Sequence, residues 1–159
     1  MLYLTILAVG TMKDDALRAA ADDYKKMLGS YAKVEEICVK EEPIRNEENH
    51  TEVARALDRE GEKILAMMPK DATRVALCVE GRQFSSEKFA AFLENAARET
   101  GKVCLVIGSS HGLSPKVKAA CNLLLSVSEM TFPHRLLRVM LYEILYRAMT
   151  ILSGKSYHK

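Results

Sequence analysis

Apolar residues along this chain follow two alternating periods. Leu2 to Val9 (LYLTILAV) and Val103 to Ile107 (VCLVI) are short, nearly continuous apolar runs. Between them lie segments in which apolar positions recur every three or four residues. Short β-rich runs bounded by turn residues predict strands, and the longer spacing predicts amphipathic helices. After the first run, Asp14 or Asp15 is placed to cap a helix reaching about Leu28. Its apolar face is Leu17, Ala20, Ala21, Tyr24 and Leu28, with Gly29 as a C-cap. Ala32 to Lys40 (AKVEEICVK) alternates, as a strand nearer a sheet edge does. Glu41 to His50 is polar, contains Pro43 and reads as a loop. Thr51 to Met68 has helical spacing, and Pro69 stops it.

The second half repeats the alternation. Arg74 to Val79 (RVALCV) predicts a strand, and Ser85 or Ser86 caps a helix carrying Phe89, Phe92, Leu93, Ala96 and Ala97, closed by Gly101. Val103 to Ile107 has no polar alternation and predicts a central strand, buried on both faces. The loop Gly108 to Leu113 leads to Ser114, an N-cap followed by Pro115 at the first helical position. Asn122 to Val127 is a fifth strand, Ser128 to Pro133 a loop, and His134 to Leu152 the last helix, ended by Gly154. Alternation of strand and helix throughout predicts an α/β fold with a mainly parallel sheet and helices on both faces. No repeat or long linker interrupts the pattern, so residues 1–159 read as a single domain.

Composition narrows the class. Hydrophobic residues make up 48% and charged residues 28%, as in an ordinary globular protein. The longest apolar candidate, Leu136 to Leu152, is broken by Arg138, Glu143 and Arg147, so no membrane span is expected. The start lacks the features of a signal peptide. Cys38, Cys78, Cys104 and Cys121 are widely spaced with no C-x-x-C pair, and read as buried free thiols of a cytoplasmic protein rather than a zinc site. Net charge is only +2, but its distribution is uneven. Lys40 to Glu62 holds four basic and eight acidic residues, whereas Phe132 to Lys159 holds five basic residues and one acid, Glu143. A basic C-terminal end suits an anionic partner, and it equally suits a helix end complementing its macrodipole.

Chemistry in an open α/β sheet is expected beyond the carboxyl ends of the strands. Three loops qualify: Glu80-Gly81, Gly108 to Gly112 and Ser128 to Pro133. Their glycines either let a ligand approach the backbone or only make turns. The dinucleotide fingerprint, the P-loop, the nucleophile elbow and H-E-x-x-H are all absent, and no metal site is expected. The last helix carries a wide apolar stripe: Leu136, Leu137, Met140, Leu141, Ile144, Leu145, Ala148, Ile151 and Leu152. One side of it can cover the sheet while another meets a second subunit, unless the whole stripe is one buried face. Glu143 and Arg147 are four apart, at ion-pair spacing.

Several segments together resemble a known family. They are Leu105-Val106-Ile107-Gly108 with Gly112-Leu113-Ser114, the run Ser126 to His134 (SVSEMTFPH), the helix segment Arg138 to Arg147 (RVMLYEILYR) and the terminal Tyr157-His158-Lys159. Ile6 to Gly10, Glu60-Gly61-Glu62 with Ile64-Leu65, and Leu77 to Gly81 fit as well. The pattern resembles the RlmH family, bacterial 23S ribosomal RNA pseudouridine N3-methyltransferases of the SPOUT class, over essentially the whole chain. The resemblance implies a trefoil-knotted α/β fold, a homodimer, and S-adenosylmethionine as methyl donor. It implies a cofactor site at Leu77, Gly108, Val127, Ser128, Glu129, Met130, Thr131 and Phe132. One departure stands out: where the family usually has a second glycine, this chain has Ser109, which would narrow the pocket or add a hydrogen bond. The donor supplies an electrophilic methyl, so the protein must position a weakly acidic imide nitrogen and favour its deprotonated form. Arg147, Tyr157 and His158 are the candidates, Glu143 would orient Arg147, and the tail of one subunit would complete the pocket of the other. Arg135, Arg138, Lys155 and Lys159 are expected to contact RNA phosphates. An RNA-binding dimer without cofactor is the competing reading.

Overall fold

The computed structural model describes residues 1–158. Strands and helices alternate as β1 (Leu2–Val9), α1 (Asp15–Leu28), β2 (Ala32–Val39), α2 (His50–Met67), β3 (Thr73–Gln83), α3 (Ser86–Glu99), β4 (Lys102–Ile107), α4 (Pro115–Ala119), β5 (Leu123–Ser126) and α5 (His134–Leu152). The strands form one sheet in the order β2-β1-β4-β3-β5, and every pairing is parallel. The unbroken apolar run of β4 sits at the centre and the alternating β2 at an edge.

Local chemistry sets the helix starts. Asp14, Asn49, Ser85 and Ser114 each accept a backbone N–H in the first turn of α1, α2, α3 and α4. Asn49, inside the segment that reads as a loop, starts α2 one residue earlier than expected. Gly29 is the C-cap of α1 as expected, in a right-handed conformation at φ −57°, and its N–H donates to the Lys25 carbonyl.

The period of two in β1 and β4 explains the layers. Leu4, Ile6 and Ala8, with Val103, Leu105 and Ile107, face a core shared with α1, α3 and α5. Leu7 and Val9, with Cys104 and Val106, face the opposite core under α2 and α4. Burying both faces is what makes these strands read as continuous apolar runs. Of the four free cysteines, Cys104 is buried, Cys78 and Cys121 half-buried, and Cys38 exposed, so the expectation of buried thiols fails at Cys38. Burial pushes the Cys104 thiol up to about 12 and the Cys121 thiol up to about 11. Among the described residues no helix is long and apolar enough to cross a membrane.

Two features depart further from the sequence pattern. First, β3 runs past Val79 to Gln83 because Leu77 and Arg82 both pair with Leu125. The residues between them bulge out beside β5, and Gly81 lies so close to it that a Cβ there would fall 2.6 Å from the Leu125 backbone. Second, Arg138 in α5 is buried, with 1% of its surface exposed. It pairs with Glu36 of β2 at 3.2 Å and donates to the carbonyl of Gly10 at 2.9 Å. The Tyr142 hydroxyl donates to the other oxygen of Glu36. Burial, reinforced by Glu36, pushes the Tyr142 phenol up, so it remains a donor. Glu36 therefore satisfies two buried groups of α5. Glu36→Ala should lower unfolding free energy by about 3 kcal/mol, read from the urea midpoint, because it strands a buried guanidinium. A loss below about 1 kcal/mol would show that solvent reaches Arg138 freely.

Candidate active site

The C-terminal ends of β4, β3 and β5 lie side by side at one edge of the sheet, and their loops enclose a cleft of about 330 Å³. Gly108 ends β4. A Cβ there would fall 2.5 Å from the carbonyl carbon of Gly112 and closer still to its oxygen, so only glycine lets the chain double back. The turn is closed by the Gly112 N–H donating to the Ser109 carbonyl at 2.9 Å. Opposite it, the loop after β5 is folded on itself. The Ser126 hydroxyl donates to the Ser128 carbonyl at 2.9 Å, and the Ser128 hydroxyl accepts from Met130 N–H at 3.0 Å. Leu77, Ile107, Leu113 and Leu125 give the cleft apolar walls, while Ser110, Ser126 and Thr131 supply hydroxyls. A mostly apolar hollow with a few polar groups suits a small organic cofactor.

Ser109 is buried, at 6% exposure. Its hydroxyl accepts from His111 N–H at 3.4 Å and faces the buried carboxylate of Glu60. That carboxylate also accepts the Glu42 N–H at 3.0 Å, and burial holds its pKa above the usual carboxylate range. Ser109 also lines the cleft, so its side chain both adds a hydrogen bond and occupies the wall.

The eight positions implied for the cofactor fall as follows. Leu77, Gly108, Val127, Ser128, Met130, Thr131 and Phe132 line the cleft, and Glu129 does not. Cys78, Val79, Glu80, Lys118, His134 and Leu137 also line it. Glu80 and Lys118 form an ion pair at its rim. Glu80 belongs to a strand-end loop expected at the site, whereas Cys78 and Val79 come from the bulge of β3 and Lys118 from α4. His134 begins α5 without capping it, since Pro133 occupies the N-cap. Burial pushes the His134 imidazole down, so it is neutral near pH 7.

A second cluster forms at the far end of α5. Arg147 binds Glu143 through Nε at 3.0 Å and Nη2 at 2.6 Å. Its guanidinium lies 4.9 Å from the centroid of the Tyr157 ring, and the Tyr157 hydroxyl donates to Glu143 at 3.3 Å. His158 Nδ1 is 3.4 Å from Arg147 Nη1, and its Nε2 is 2.7 Å from Glu87. Arg147 only donates, so the contact is satisfied with Nδ1 as acceptor and the Nε2 proton toward Glu87. Glu143 raises the pKa of Arg147 by hydrogen bonding, and burial, then Glu143, raises that of Tyr157. Near neutral pH Arg147 is a fixed cation and Tyr157 a neutral phenol. All four residues expected to act together thus meet.

Among the described residues, none of the polar or ring contacts of Arg147, Tyr157 and His158 reaches the cleft lining. Ten residues of helix separate Leu137 from Arg147, about 15 Å along the axis. The four expected phosphate contacts are also dispersed. Arg135 is exposed at the start of α5. Lys155 lies beyond its other end, with Nζ 4.8 Å from the Tyr31 ring centroid. Lys159 is outside the described residues. Arg138 is corrected outright, because a buried guanidinium bound to Glu36 has no surface to offer a phosphate. The apolar stripe of α5 also divides: Leu141, Leu145 and Ala148 are buried, whereas Leu136 and Leu152 are exposed at 36% and 38%.

Comparison with known proteins gives a consistent picture. A family model described as predicted SPOUT methyltransferase matches residues 2–158. The ribosomal RNA large subunit methyltransferase H of Caldicellulosiruptor saccharolyticus is 40% identical over 156 residues, 98% of this chain and 99% of that protein. Its namesake from Streptococcus thermophilus is 41% identical over 155 residues, 97% of this chain and 98% of that protein. Among solved structures, a probable methyltransferase from Bordetella pertussis Tohama I superposes with a TM-score of 0.54 at 13% identity, covering 93% of each chain. A putative methylase family protein from Neisseria gonorrhoeae gives 0.51 at 17% identity, covering 99% of this chain and 85% of that one. At such identities the structural likeness speaks for the fold alone.

Proposed function

The chain belongs to the SPOUT methyltransferase family, and on that premise we propose that it methylates N3 of a pseudouridine in 23S ribosomal RNA as a cytoplasmic homodimer using S-adenosylmethionine. The observation that carries this reading is the convergence of seven implied cofactor positions on one strand-end cleft. Its size, its apolar walls and the backbone cradle at Gly108 fit an adenosine-bearing cofactor, with the purine against the leucines and hydroxyls near the polar edges. When bound, that cofactor supplies an electrophilic methyl group.

The chain's own residues must then hold the imide nitrogen in line and favour its anion. Arg147, kept cationic by Glu143, suits the second requirement, since a fixed positive charge beside the imide favours loss of its proton. The Tyr157 ring packs against the guanidinium, and the Arg147–His158 contact ties the tail to α5. Because these groups and the cleft are at opposite ends of α5, the composite site takes its cleft from one subunit and its tail from the other. An apolar rim at the cleft, Val79, Met130 and Phe132, is exposed in the single chain, as is Leu136 in the first turn of α5, and supports that pairing. The knotted path of the C-terminal third and the single domain belong to the same reading, supported by the strand order and the extent of the family match.

The test is methyl transfer from isotopically labelled S-adenosylmethionine to purified large ribosomal subunits and to 23S RNA alone, read by nucleoside mass spectrometry. One N3-methylpseudouridine per 23S RNA is expected from at least one substrate. A methyl on another base or on ribose would overturn the N3 assignment, and a sedimenting monomer at assay concentration would overturn the homodimer.

A further inference from the structure

Beside the cleft, at the carboxyl ends of β1 and β2, lies a second hollow of about 340 Å³. Three separate segments build it: Gly10 to Lys13 after β1, Cys38 to Glu41 at the end of β2 and beyond it, and His134-Arg135 at the start of α5. His134 lines both hollows, so they are contiguous. The lining holds three cations, Lys13, Lys40 and Arg135, and one acid, Glu41. All three cations are exposed. Among the described residues none of the three has a carboxylate within ion-pair distance. Exposed cations such as Lys26 and Lys70 are also unpaired among the described residues, so it is the convergence of three on one hollow that marks this surface.

The floor of this hollow is fixed. Arg138 donates from below to the carbonyl of Gly10 at 2.9 Å and pairs with Glu36, so α5 is tied to the β1 end by a buried hydrogen bond and to β2 by an ion pair. The surroundings of the cleft are therefore asymmetric. Val79, Met130 and Phe132 make one side apolar, and the Lys13–Lys40–Arg135 side is cationic.

We propose that this hollow is an RNA subsite, in which Lys13, Lys40 and Arg135 hold the phosphates of the strand flanking the nucleotide whose base enters the cleft. It rests on the proposed function and adds the path of the substrate. Three cations from three segments converging on a preformed hollow against a single acid, Glu41, and forming no ion pair among the described residues, are arranged to neutralise an external polyanion. Arg138 is then a positioning residue for this surface, in place of the phosphate contact its sequence position suggested.

The experiment uses the full chain and purified large ribosomal subunits, with protein-free 23S RNA as a second probe. The triple variant Lys13→Ala, Lys40→Ala, Arg135→Ala should bind large subunits about 30-fold more weakly near 0.1 M salt. Its plot of log affinity against log salt should be shallower by about 2, each phosphate contact in single-stranded RNA contributing about 0.7. Affinity for S-adenosylmethionine and the thermal midpoint should be unchanged. A variant keeping the charges, Lys13→Arg, Lys40→Arg, Arg135→Lys, should recover most of the affinity. Wild-type affinity and salt slope in the triple variant would overturn the proposal. So would a loss confined to intact subunits with protein-free RNA bound normally, since the surface would then meet a ribosomal protein. Failure of the parent reading is distinguishable: wild-type protein that binds RNA with this salt slope but transfers no methyl group removes the proposed activity and leaves the subsite standing.

Discussion

A chain ending at Ser156 should bind S-adenosylmethionine as tightly as the full chain while transferring methyl groups to ribosomal RNA about 1,000-fold more slowly. The magnitude is that of losing a group that handles a proton or charge at the reacting atom. The truncation leaves Arg147 in place but strips its guanidinium of the Tyr157 ring 4.9 Å away and of His158 at 3.4 Å. Among the described residues, neither Tyr157 nor His158 lines the cleft, so cofactor affinity is the internal control. Removing Lys159 alone separates the tail's charge from its ring and imidazole. The pH profile adds a second check. Because Tyr157 is held above its usual range, it stays protonated, and Arg147 stays charged, as pH rises from 7 to 9. The rate of the full chain should therefore climb over that window as the imide ionises, with no falling limb from the enzyme. Single-turnover transfer by the truncated chain within tenfold of the full chain would sink the composite site.

The parts of this molecule legible in its sequence are those governed by short-range periodicity. The both-face burial of β1 and β4 and the N-caps at Asp14, Ser85 and Ser114 are local consequences of residue order, and α5 spans the predicted His134–Leu152. The site's outline was legible for the same reason, since parallel strands bring their carboxyl ends to one edge. What escaped is long-range. The burial of Arg138 depends on Glu36, 102 positions away on an edge strand, and no helical spacing announces it. The excursion of β3 depends on Leu77 and Arg82 sharing Leu125, so Cys78 and Val79 reach the cleft through pairing geometry rather than pattern, beside the Glu80 that the strand-end loop pointed to. The basic C-terminal segment misled in the opposite direction: charge counted along the sequence gathers Arg135, Arg138 and Lys155, whereas the fold buries one and sends the other two to opposite ends of α5. The cationic surface that does form draws Lys13 and Lys40 from the other half of the chain.

Gly108→Ala should weaken S-adenosylmethionine binding about 100-fold, close to about 2.7 kcal/mol, and lower stability by about 1 kcal/mol, the larger of the two effects being on the cofactor. A Cβ at this position lands on the Gly112 carbonyl, and that obstacle is backbone, not the free end of a side chain. Either the turn Ser109 to Gly112 moves outward, carrying Ser110 and His111 with it, or β4 shifts against its neighbours. Moving the turn is cheaper, because β4 is buried on both faces and overpacking a core costs about 1–3 kcal/mol before any backbone shift. The cleft therefore absorbs the damage. Gly112→Ala is the contrasting control. Its Cβ would meet nothing within 4 Å, but its φ of +86° strains any other residue. That change should cost about 1–2 kcal/mol of stability and shift cofactor affinity less than tenfold. Calorimetry with S-adenosylmethionine and thermal melts on both variants decide the matter. If Gly108→Ala weakens cofactor binding no more than Gly112→Ala does, the close approach at Gly108 does not shape the pocket. If Gly108→Ala keeps its affinity but loses stability, β4 has yielded instead of the turn, and the cradle assigned to the cofactor is only a packing contact.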